Sequence, residues 1–434
     1  MKLEEFKNKK ILIVGRGIEG KAASSYLKKH FPNAVIDIVD QKDGSNYLDL
    51  QKDFDIAIKS PSVQSSLLRI LYTTSTNIFL ANAKGKVIGI TGTKGKSTTS
   101  TLIYKMLVKQ GLDAYLGGNI GQSPLVFLDK LNDQSITVLE MSSFQLQDLQ
   151  KSPNIAVVLM IGEEHLDFHK TSEKYIDAKR NILRFQTANG FAIINRDYPA
   201  SNESDIYTEA KLFQISRDRE CKNGCFVQNG SVWVAKDGKR EKIIDAKDVQ
   251  LLGKHNLENV CAGVMAATLC QVSLKNIQFV LKTFRGLPHR LEFVGEKNGV
   301  IYYNDSLSTV PVATIQALEA LPDTETLIAG GHERGLDFKS LGEFLAKSHQ
   351  IKTLILFPPT GLRIWNEACK AIPKENRPKK FDVKTMEQAV RIAASETAPG
   401  KICLLSPASA SFGTFKDYKD RGEQFKKEVE KLNG

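Results

Sequence analysis

Short apolar runs that alternate with turns and helically spaced segments dominate the first part of the chain. Residues 11–14 form an unbroken apolar run, which a glycine-rich turn separates from a helical stretch reaching to about residue 29. Further strand-like runs cover residues 35–39 and 55–58. Such runs are typical of strands buried on both faces, and their alternation with helices predicts a parallel sheet. Residues 1–84 are therefore predicted to form a first α/β unit.

The same alternation continues in a second unit, predicted to span residues 85–287. Residues 87–90 form a strand that runs into a glycine-rich turn and a long helix. Residues 205–252 are polar with short alternating runs, which indicates a small β-rich insertion, and a helix then starts after His255-Asn256. Further strands are predicted at residues 137–139, 156–160 and 191–194.

A third unit, residues 288–434, again alternates apolar runs with helical stretches. Its predicted strands cover residues 301–303, 326–329, 353–357 and 402–405. Strands that alternate with helices throughout a chain predict an α/β protein, here with three domains.

Composition narrows the classes of protein that this chain can be. It has 434 residues, 41% hydrophobic and 25% charged, which is typical of a globular protein. No apolar run reaches the ~18 residues of a membrane-spanning helix, so no membrane insertion is expected. The first residues lack the apolar core of an export signal, which predicts a cytoplasmic location. Six cysteines are too few for a disulfide framework, and although Cys221 and Cys225 stand four apart, no second Cys/His pair at zinc-like spacing follows them.

The net charge of +11 adds little by itself. A basic surface can attract nucleic acid, anionic membranes or anionic small molecules. The lysines are spread along the whole chain, and no nucleic-acid-binding motif interrupts them, so no nucleic-acid partner is expected. Attraction of phosphorylated substrates and a generally solvated basic surface both remain open.

The strongest local signal is a glycine-rich loop between a predicted strand and a predicted helix. Glycines let backbone N–H groups curl around an anion, and the helix N-terminus favours negative charge. In this loop Lys96 can reach the β- and γ-phosphates of a nucleotide, and Ser97 can bind Mg²⁺. Only two residues separate Gly92 from Gly95, whereas a standard phosphate loop has four at that place. The predicted ATP-binding residues of the loop are Gly92, Thr93, Lys94, Gly95, Lys96, Ser97 and Thr98.

Three further side chains are candidates for chemistry. Glu140 ends a predicted strand, where a carboxylate faces the usual ligand crevice of a parallel sheet and can bind Mg²⁺. His165 stands in an acidic run directly after another strand, and Lys179 lies in a predicted helix. Taken alone, the three also fit an exposed strand-end glutamate, a structural histidine and a surface lysine.

These segments occur in the order of a known family. The motifs are Gly92-Thr93-Lys94-Gly95-Lys96-Ser97-Thr98, Gly118-Asn119-Ile120-Gly121, Glu140-Met141-Ser142-Ser143-Phe144-Gln145-Leu146, His165-Leu166-Asp167, Tyr175-x-x-Ala178-Lys179, Gly253-Lys254-His255-Asn256-x-x-Asn259, Pro288-His289-Arg290-x-Glu292, Asn304-Asp305-Ser306 and Leu405-Ser406-Pro407-Ala408-x-Ala410-Ser411-Phe412. From about residue 10 to about residue 425 the chain resembles the Mur ligases. The resemblance implies a Rossmann-like first domain that binds a UDP-substrate, a central P-loop ATPase-like domain with a mostly parallel sheet, and a Rossmann-like third domain that binds an amino acid.

The resemblance also implies how ATP and metal are held. Lys96 contacts the transferred phosphate, and Ser97 with Glu140 holds one Mg²⁺ ion. Lys179 is carbamylated and, with Glu140 and His165, holds a second Mg²⁺, which suits a hard cation because a carbamate supplies anionic oxygen. Lys96, Glu140, His165 and Lys179 thus form the expected catalytic set. The further ATP contacts that the resemblance implies are His255, Asn256, Asn259, Arg290 and Asp305.

Two more groups of contacts follow from the same resemblance. The UDP-substrate is expected to contact Gly17, Ile18, Glu19, Gln41, Lys42, Asn119 and His165. The incoming glutamate is expected to contact Thr309, Arg334, Ser411, Phe412 and Tyr418.

Within the family, residues 141–146 and 406–411 are most similar to the glutamate-adding members. The resemblance therefore implies an ATP-dependent ligase that adds D-glutamate to UDP-N-acetylmuramoyl-L-alanine through an acyl phosphate, acting as a monomer in peptidoglycan precursor synthesis. The alternatives are a ligase adding L-glutamate to the same acceptor, another Mur or folylpolyglutamate-type ligase, and a non-enzymatic ATP-binding regulatory protein.

Two departures from the family pattern lie beside the expected glutamate pocket. Leu307 replaces a lysine that usually follows Asp305-Ser306, and Arg334 stands where a lysine is common. They leave the handedness of the glutamate open. Near the expected uridine site, the run Ser60-Pro61-Ser62-Val63 lacks the glycine that is usual in the family, which leaves the contacts with the uridine nucleotide open.

An oxidoreductase is the rival from another class. Gly15, Gly17 and Gly20 follow a strand, and Asp40 comes twenty residues after the last of them, which matches the dinucleotide-binding fingerprint. The ATP loop and the motifs after it have no place in a simple dehydrogenase, so the ligase hypothesis is preferred.

Overall fold

The computed structural model describes residues 1–162 and 171–432. Its contacts divide the chain into two compact units: the first holds residues 1–249 and 255–284, and the second holds residues 250–254 and 285 onwards. His165 lies outside the described residues, so the prediction for it stays a prediction. In the described part of the chain, no helix is both long and apolar enough to cross a bilayer.

The first sheet of the first unit has four parallel strands in the order β2-β1-β3-β4. Every residue of β1 is buried, as its unbroken apolar run predicts. The sequence did not predict β4, an edge strand whose first residue, Leu71, is 64% exposed, so its apolar pattern is weak. The elements are β1 (Ile11–Val14), α1 (Ile18–His30), β2 (Ile36–Val39), β3 (Ile56–Lys59), β4 (Leu71–Thr74) and α2 (Ser75–Asn82).

The second sheet has nine strands in the order β13-β12-β11-β10-β9-β8-β5-β7-β6. The strands from β11 to β6 in this order pair in parallel, whereas β12 is antiparallel to both of its neighbours, β11 and β13. The strands are β5 (Lys86–Thr91), β6 (Ala114–Gly118), β7 (Ile136–Glu140), β8 (Ile155–Val158), β9 (Phe191–Asn195), β10 (Lys211–Ser216), β11 (Gly224–Gln228), β12 (Ser231–Lys236) and β13 (Lys239–Asp245). The helices are α3 (Lys96–Lys109), α4 (Ser143–Leu146), α5 (Ser172–Arg184), α6 (Pro199–Asn202), α7 (Asn256–Leu269) and α8 (Leu274–Thr283).

The predicted β-rich insertion needs correction. Residues 205–252 do contain the strands β10 to β13, but these extend the central sheet rather than forming a separate insertion. Strand pairing joins segments distant in sequence, and alternation within each segment carries no information about which neighbour it joins.

The third sheet, in the second unit, has six strands in the order β14-β15-β19-β16-β17-β18, all parallel except β14. Alternate residues of its central strands enter two separate apolar clusters, one on each face, as expected for strands covered by helices on both sides. The elements are β14 (Glu292–Lys297), β15 (Val300–Asn304), α9 (Pro311–Ala320), β16 (Thr324–Gly330), α10 (Lys339–Ser348), β17 (Thr353–Phe357), α11 (Thr360–Ala371), β18 (Lys379–Asp382), α12 (Met386–Glu396), β19 (Ile402–Leu405) and α13 (Tyr418–Glu430).

Strand order in the second sheet determines which loops become neighbours. Strand β5 lies between β8 and β7, so the loop after β5 is flanked by the loops after those two strands. The carboxyl ends of parallel strands meet at one edge of a sheet, which is where ligands bind in such folds. The α/β prediction with mostly parallel sheets is confirmed, whereas the domain boundaries near residues 84 and 287 stay predictions.

Candidate active site

The loop between β5 and α3 has the backbone of an anion-binding turn. Gly92 and Gly95 have φ angles of +154° and +85°, the left-handed side of backbone space that side chains rarely adopt. Gly95 is the N-cap of α3, and Lys96 is its first helical residue. The free N–H groups of a helix N-terminus together with glycine-rich backbone make a site for phosphate oxygens.

Space as well as φ restricts position 95. A Cβ atom added to Gly95 would lie 2.2 Å from Oδ1 of Asn259. We expect Gly95→Ala to lower ATP affinity by at least about tenfold, because the phosphate-binding backbone must shift to relieve this clash. Titration calorimetry with ATP measures the change.

A matched control for this substitution exists at the far end of α3. Gly111 has a similar φ of +82°, but an added Cβ would have no atom within 4 Å. Gly111→Ala should therefore share the left-handed strain, about 1–2 kcal/mol, and keep its ATP affinity. Equal loss of affinity in both variants would contradict the proposed loop geometry.

Two lysine amines meet on one carbonyl oxygen of the loop. Nζ of Lys96 donates to the carbonyls of Gly92 and Thr93 at 2.8 and 2.9 Å. Nζ of Lys179, from α5, donates to the same Gly92 oxygen at 2.9 Å. Lys179 is 2% exposed, and its Nζ lies 4.6 Å from the ring centroid of Tyr175. The interpretation of Lys179 as a surface lysine is therefore wrong.

Glu140 is buried rather than exposed, at 2% of its accessible area. Its Oε1 accepts a hydrogen bond of 2.8 Å from Nδ2 of Asn119, and Gly118, at φ +101°, brings the end of β6 close to it. Its Oε2 is also buried, and it has no hydrogen-bond partner among the described residues. An unpartnered buried carboxylate oxygen is costly, and a bound cation would relieve this cost.

These residues fit a magnesium ion held mainly by oxygen. Ser97 is half-buried at the second position of α3, and its hydroxyl is a suitable ligand together with Oε2 of Glu140. No cluster of three or more His, Cys, Asp or Glu side chains suited to a metal occurs within residues 1–162 and 171–432. Mg²⁺ usually takes few protein carboxylates and fills its shell with water and substrate phosphate, so this arrangement suits it.

The start of α7 packs against the glycine-rich loop. Oδ1 of Asn259 accepts from Oγ1 of Thr99 at 3.2 Å, and its Nδ2 donates to Oδ1 of Asn256 at 2.8 Å. Both asparagines are buried, whereas His255, the N-cap of α7, is exposed. The structure thus brings Asn256 and Asn259 to the loop, while their contact with ATP stays a prediction.

Sequence reasoning missed two contacts that hold the loop. The backbone N–H of Thr93 donates to the carbonyl of Met160 at 2.7 Å, and its Oγ1 lies 3.1 Å from the hydroxyl of Tyr175. Tyr175 is on the same helix as Lys179, so this contact anchors α5 to the loop. The motif around Tyr175 was the available signal, but its spacing did not show which residue the hydroxyl contacts.

The candidate UDP contacts on α1 differ in accessibility. Gly17 and Ile18 are exposed at the N-terminus of this helix, Ile18 at 72%. Glu19 is partly buried, and its Oε1 accepts from Nε2 of Gln145 at 2.5 Å. Burial raises the pKa of Glu19 above its usual value. Glu19 therefore links α1 to the segment after β7, whether or not it contacts a substrate.

Asp40, the acidic residue of the dinucleotide-binding fingerprint, has a structural role in this fold. The carboxylate of Asp40 accepts from the backbone N–H groups of Arg16 and Lys42, at 2.7 and 3.2 Å, and these bonds lower its pKa. Asp40 therefore holds the glycine-rich turn and caps the short helical turn Gln41–Asp43. Gln41 and Lys42 are exposed there.

In the second unit, Asp305 is a buried carboxyl, 2% exposed, directly after β15. It accepts from Oγ of Ser406 at 2.8 Å and from the backbone N–H of Leu291 at 3.2 Å. Burial raises its pKa to about 6, against the opposing effects of the hydrogen bonds and of the Arg290 charge. The charge of Arg290 thus acts on Asp305, while the contacts of both residues with ATP stay a prediction.

The candidate glutamate contacts lie on loops that follow neighbouring strands. Strand order places β19 between β15 and β16, so the loops carrying Thr309, Ser411 and Arg334 follow three adjacent strands. The backbone N–H of His332 donates to the carbonyl of Ala410 at 2.8 Å and joins two of these loops. In the set, Ser411 is buried, Thr309 and Tyr418 are half-buried, and Arg334 and Phe412 are exposed.

A phosphate-binding loop, two lysines and a buried acid at one sheet edge define a P-loop enzyme that acts on nucleoside triphosphates. The comparisons with known proteins identify its family. Residues 90–267 match the Mur ligase middle domain, and residues 289–409 match the Mur ligase, glutamate ligase domain. The chain belongs to the Mur ligase family, and it is an ATP-dependent amide-bond ligase, as predicted.

Full-length relatives and solved structures agree with this assignment. The chain is 34% identical to the UDP-N-acetylmuramoylalanine--D-glutamate ligase of Acetivibrio thermocellus, with 99% of this chain and 98% of the relative covered. It is 33% identical to the enzyme of the same name from Clostridium botulinum, with 99% of each covered. Its fold is similar to that of MurF ligase from Thermotoga maritima in complex with ADP, with a TM-score of 0.59, 20% identity, and 99% and 97% of the two chains covered. Similarity to MurC from Thermotoga maritima has a TM-score of 0.62 at 15% identity, with 98% and 100% covered.

Proposed function

We propose that this enzyme adds D-glutamate to UDP-N-acetylmuramoyl-L-alanine at the expense of ATP, in the cytoplasmic synthesis of peptidoglycan precursors. The observation that carries the proposal is the meeting of Lys96 and Lys179 on the Gly92 carbonyl within one unit that also buries Glu140. The names of the full-length relatives supply the acceptor and the amino acid.

The proposed ATP site uses the loop backbone and its lysine. The γ-phosphate oxygens accept hydrogen bonds from the backbone N–H groups at the start of α3. The side chain of Lys96 turns away from the loop carbonyls and towards these phosphate oxygens. Gly92, Thr93, Lys94, Gly95, Ser97 and Thr98 form the rest of the cradle. His255, Asn256, Asn259, Arg290 and Asp305 are the proposed contacts for the remainder of the nucleotide.

Metal ions are assigned to the carboxylate side of this site. Ser97 and Glu140 would hold one Mg²⁺, and Glu140, His165 and a carbamate on Lys179 would hold a second. When bound, the ions supply charge neutralisation for the phosphoryl oxygens. The carbamate forms when the neutral lysine amine attacks carbon dioxide and loses a proton. It also removes the repulsion of two ammonium groups that share one carbonyl, since it makes Lys179 anionic.

The proposed reaction has two steps. A carboxylate oxygen of the bound alanine attacks the γ-phosphorus of ATP, and the bond to ADP breaks, which leaves an acyl phosphate. The glutamate amine then attacks the acyl carbon, and the tetrahedral intermediate expels phosphate as the amide forms. Lys96 stabilises the charge that builds on the phosphoryl oxygens. The amine must lose a proton, and His165 is the candidate general base.

Substrate contacts complete the proposal. Gly17, Ile18, Glu19, Gln41, Lys42, Asn119 and His165 are assigned to the UDP-substrate, and Thr309, Arg334, Ser411, Phe412 and Tyr418 to glutamate. Arg334 is exposed, and its planar guanidinium suits bidentate pairing with the side-chain carboxylate of glutamate. The enzyme is proposed to act as a monomer with three domains, bounded near residues 84 and 287.

L-Glutamate is the second candidate for the amino acid. Leu307 is half-buried directly after Asp305 and Ser306, so an apolar side chain occupies the place where the family usually has a lysine. The loss of a positive charge beside the pocket changes the relative affinity for D- and L-glutamate, which place their two carboxylates differently.

Phosphate release tests the proposed function. Purified enzyme with Mg²⁺, ATP and UDP-N-acetylmuramoyl-L-alanine should release phosphate at an appreciable rate only when an amino acid is added, fastest with D-glutamate. L-Glutamate, lysine and diaminopimelate are the comparison amino acids. UDP-N-acetylmuramate, which lacks the alanine, is the matched acceptor control and should give no product. Absence of stimulation by both glutamates would overturn the specific assignment, and faster turnover with the L-form would favour the second candidate.

A further inference from the structure

Arg421 is a buried cation near the candidate glutamate contacts. It lies in the first turn of α13, is 1% exposed, and is among the largest fully buried side chains of the described residues. Burial lowers its pKa to about 10, so the guanidinium is still charged at neutral pH. Within the described residues it forms no ion pair with a carboxylate, unlike most buried arginines.

Among the described residues, the guanidinium of Arg421 donates hydrogen bonds to two loops only. Nε donates to Oγ of Ser306 at 3.0 Å, and Nη2 donates to the Ser306 carbonyl at 2.9 Å. Nη1 donates to the carbonyl of Ser409 at 3.1 Å. Oγ of Ser306 in turn donates to the carbonyl of Tyr418 at 2.8 Å. One guanidinium therefore joins the loop after β15, the loop after β19 and the start of α13.

A third loop approaches the same group. A Cβ atom added to Gly331, in the loop after β16, would lie 3.3 Å from Nη1 of Arg421 and 2.3 Å from the carbonyl oxygen of Ala410. The three loops and the start of α13 carry Thr309, Arg334, Ser411, Phe412 and Tyr418. Arg421 thus lies where the segments with all five candidate glutamate contacts come together.

We propose that Arg421 is a positioning residue for the incoming amino acid, fixing these loops and favouring a substrate with two carboxylates. The inference rests on the proposed function. A forked guanidinium fixes two loops at once, which an ammonium cannot do as well. Its charge has no carboxylate to neutralise it and lies in a poorly screened interior, so it lowers the energy of an anion bound to the adjacent loops.

Steady-state kinetics separate this positioning effect from a general loss of structure. In Arg421→Met the KM for glutamate should rise by about tenfold or more, while the KM values for ATP and the acceptor stay within about twofold. Arg421→Lys should recover part of the loss, because it restores the charge without the fork. Lys427→Met removes an exposed lysine from the same helix and is the matched control, with no expected change. A parallel rise of all three KM values, or no change in any of them, would overturn the proposal.

Two further measurements test the proposal if Arg421→Met does not fold or if the proposed function is wrong. Ser306→Ala keeps the arginine and removes one acceptor, and a smaller rise in the KM for glutamate alone is expected. Hydrogen exchange of the free protein should be faster in Arg421→Met than in wild type at residues 305–309 and 406–413, with the rest of the second unit unchanged. If the wild-type enzyme shows no glutamate-dependent turnover, the proposed function fails. The positioning inference is then decided by exchange alone, and unchanged protection of both loops would refute it.

Discussion

Lys96→Ala should reduce phosphate release by about 10³-fold or more, because removing one preorganised charge-stabilising donor usually costs about 10²–10³-fold and this lysine carries a full charge. Its Nζ bonds the carbonyls of Gly92 and Thr93, and a migrating phosphoryl group would take the place of these acceptors. Coupled-enzyme phosphate release at saturating substrates measures the loss in kcat.

A lysine on the same helix provides the control for this variant. Lys109 is the last residue of α3, and its Nζ lies 3.8 Å from the ring centroid of Phe279, away from the loop. Lys109→Ala should keep near-normal turnover, since it removes the same charge from the far end of the helix. Normal turnover in Lys96→Ala would show that the loop does not deliver the phosphoryl group.

The strand, loop and helix around Lys96 could be predicted from the sequence because the signal is local. Residues 86–98 contain the apolar run of β5, the two glycines and the first helical turn of α3. The local sequence of each segment favours the conformation that the segment adopts. The phosphate-binding interpretation also needs no partner from elsewhere, since backbone N–H groups and one lysine are enough.

The environment of Glu140 and Lys179 could not be predicted in this way. The bond from Lys179 to Gly92 joins residues 87 positions apart, and its burial depends on α5 packing against a loop that the helix sequence does not contain. The sequence around Glu140 likewise fits an exposed strand end. In the fold, β6 pairs with β7 and Asn119 donates a hydrogen bond to Glu140, so the carboxylate is covered. Exposure of a charged residue is decided by which distant segment covers it, and periodicity within one element does not encode that segment.

Arg421 shows the same limit in the second unit. Its position in a charged helix predicts an exposed residue, yet it is one of the most buried side chains because three loops from adjacent strands surround it. The strand order that brings these loops together, β15-β19-β16, is not the order of the chain. Sequence motifs therefore located the candidate residues, whereas the hydrogen bonds that fix them required the fold.

Lys179→Ala should reduce ligation by about 10²–10³-fold, and added formate or acetate should restore part of the activity. The substitution removes the amine that would carry the carbamate and leaves space in a buried site, which a short carboxylate can enter to supply the missing anionic oxygens. The rate of amide product formation is measured at increasing concentrations of formate or acetate. Sodium chloride at the same ionic strength serves as the control for a general salt effect.

Lys174→Ala is the matched control, because it removes an exposed lysine from the same helix, α5, and should neither lose activity nor respond to acetate. Wild-type enzyme in ¹³C-labelled bicarbonate should also show a carbamate carbon resonance that Lys179→Ala lacks. Full activity of Lys179→Ala without carboxylate would remove the carbamate from the mechanism. The loop lysine and Glu140 would then have to neutralise the phosphoryl charge without that ligand, and the shared Gly92 carbonyl would bring two cations together for structural reasons alone.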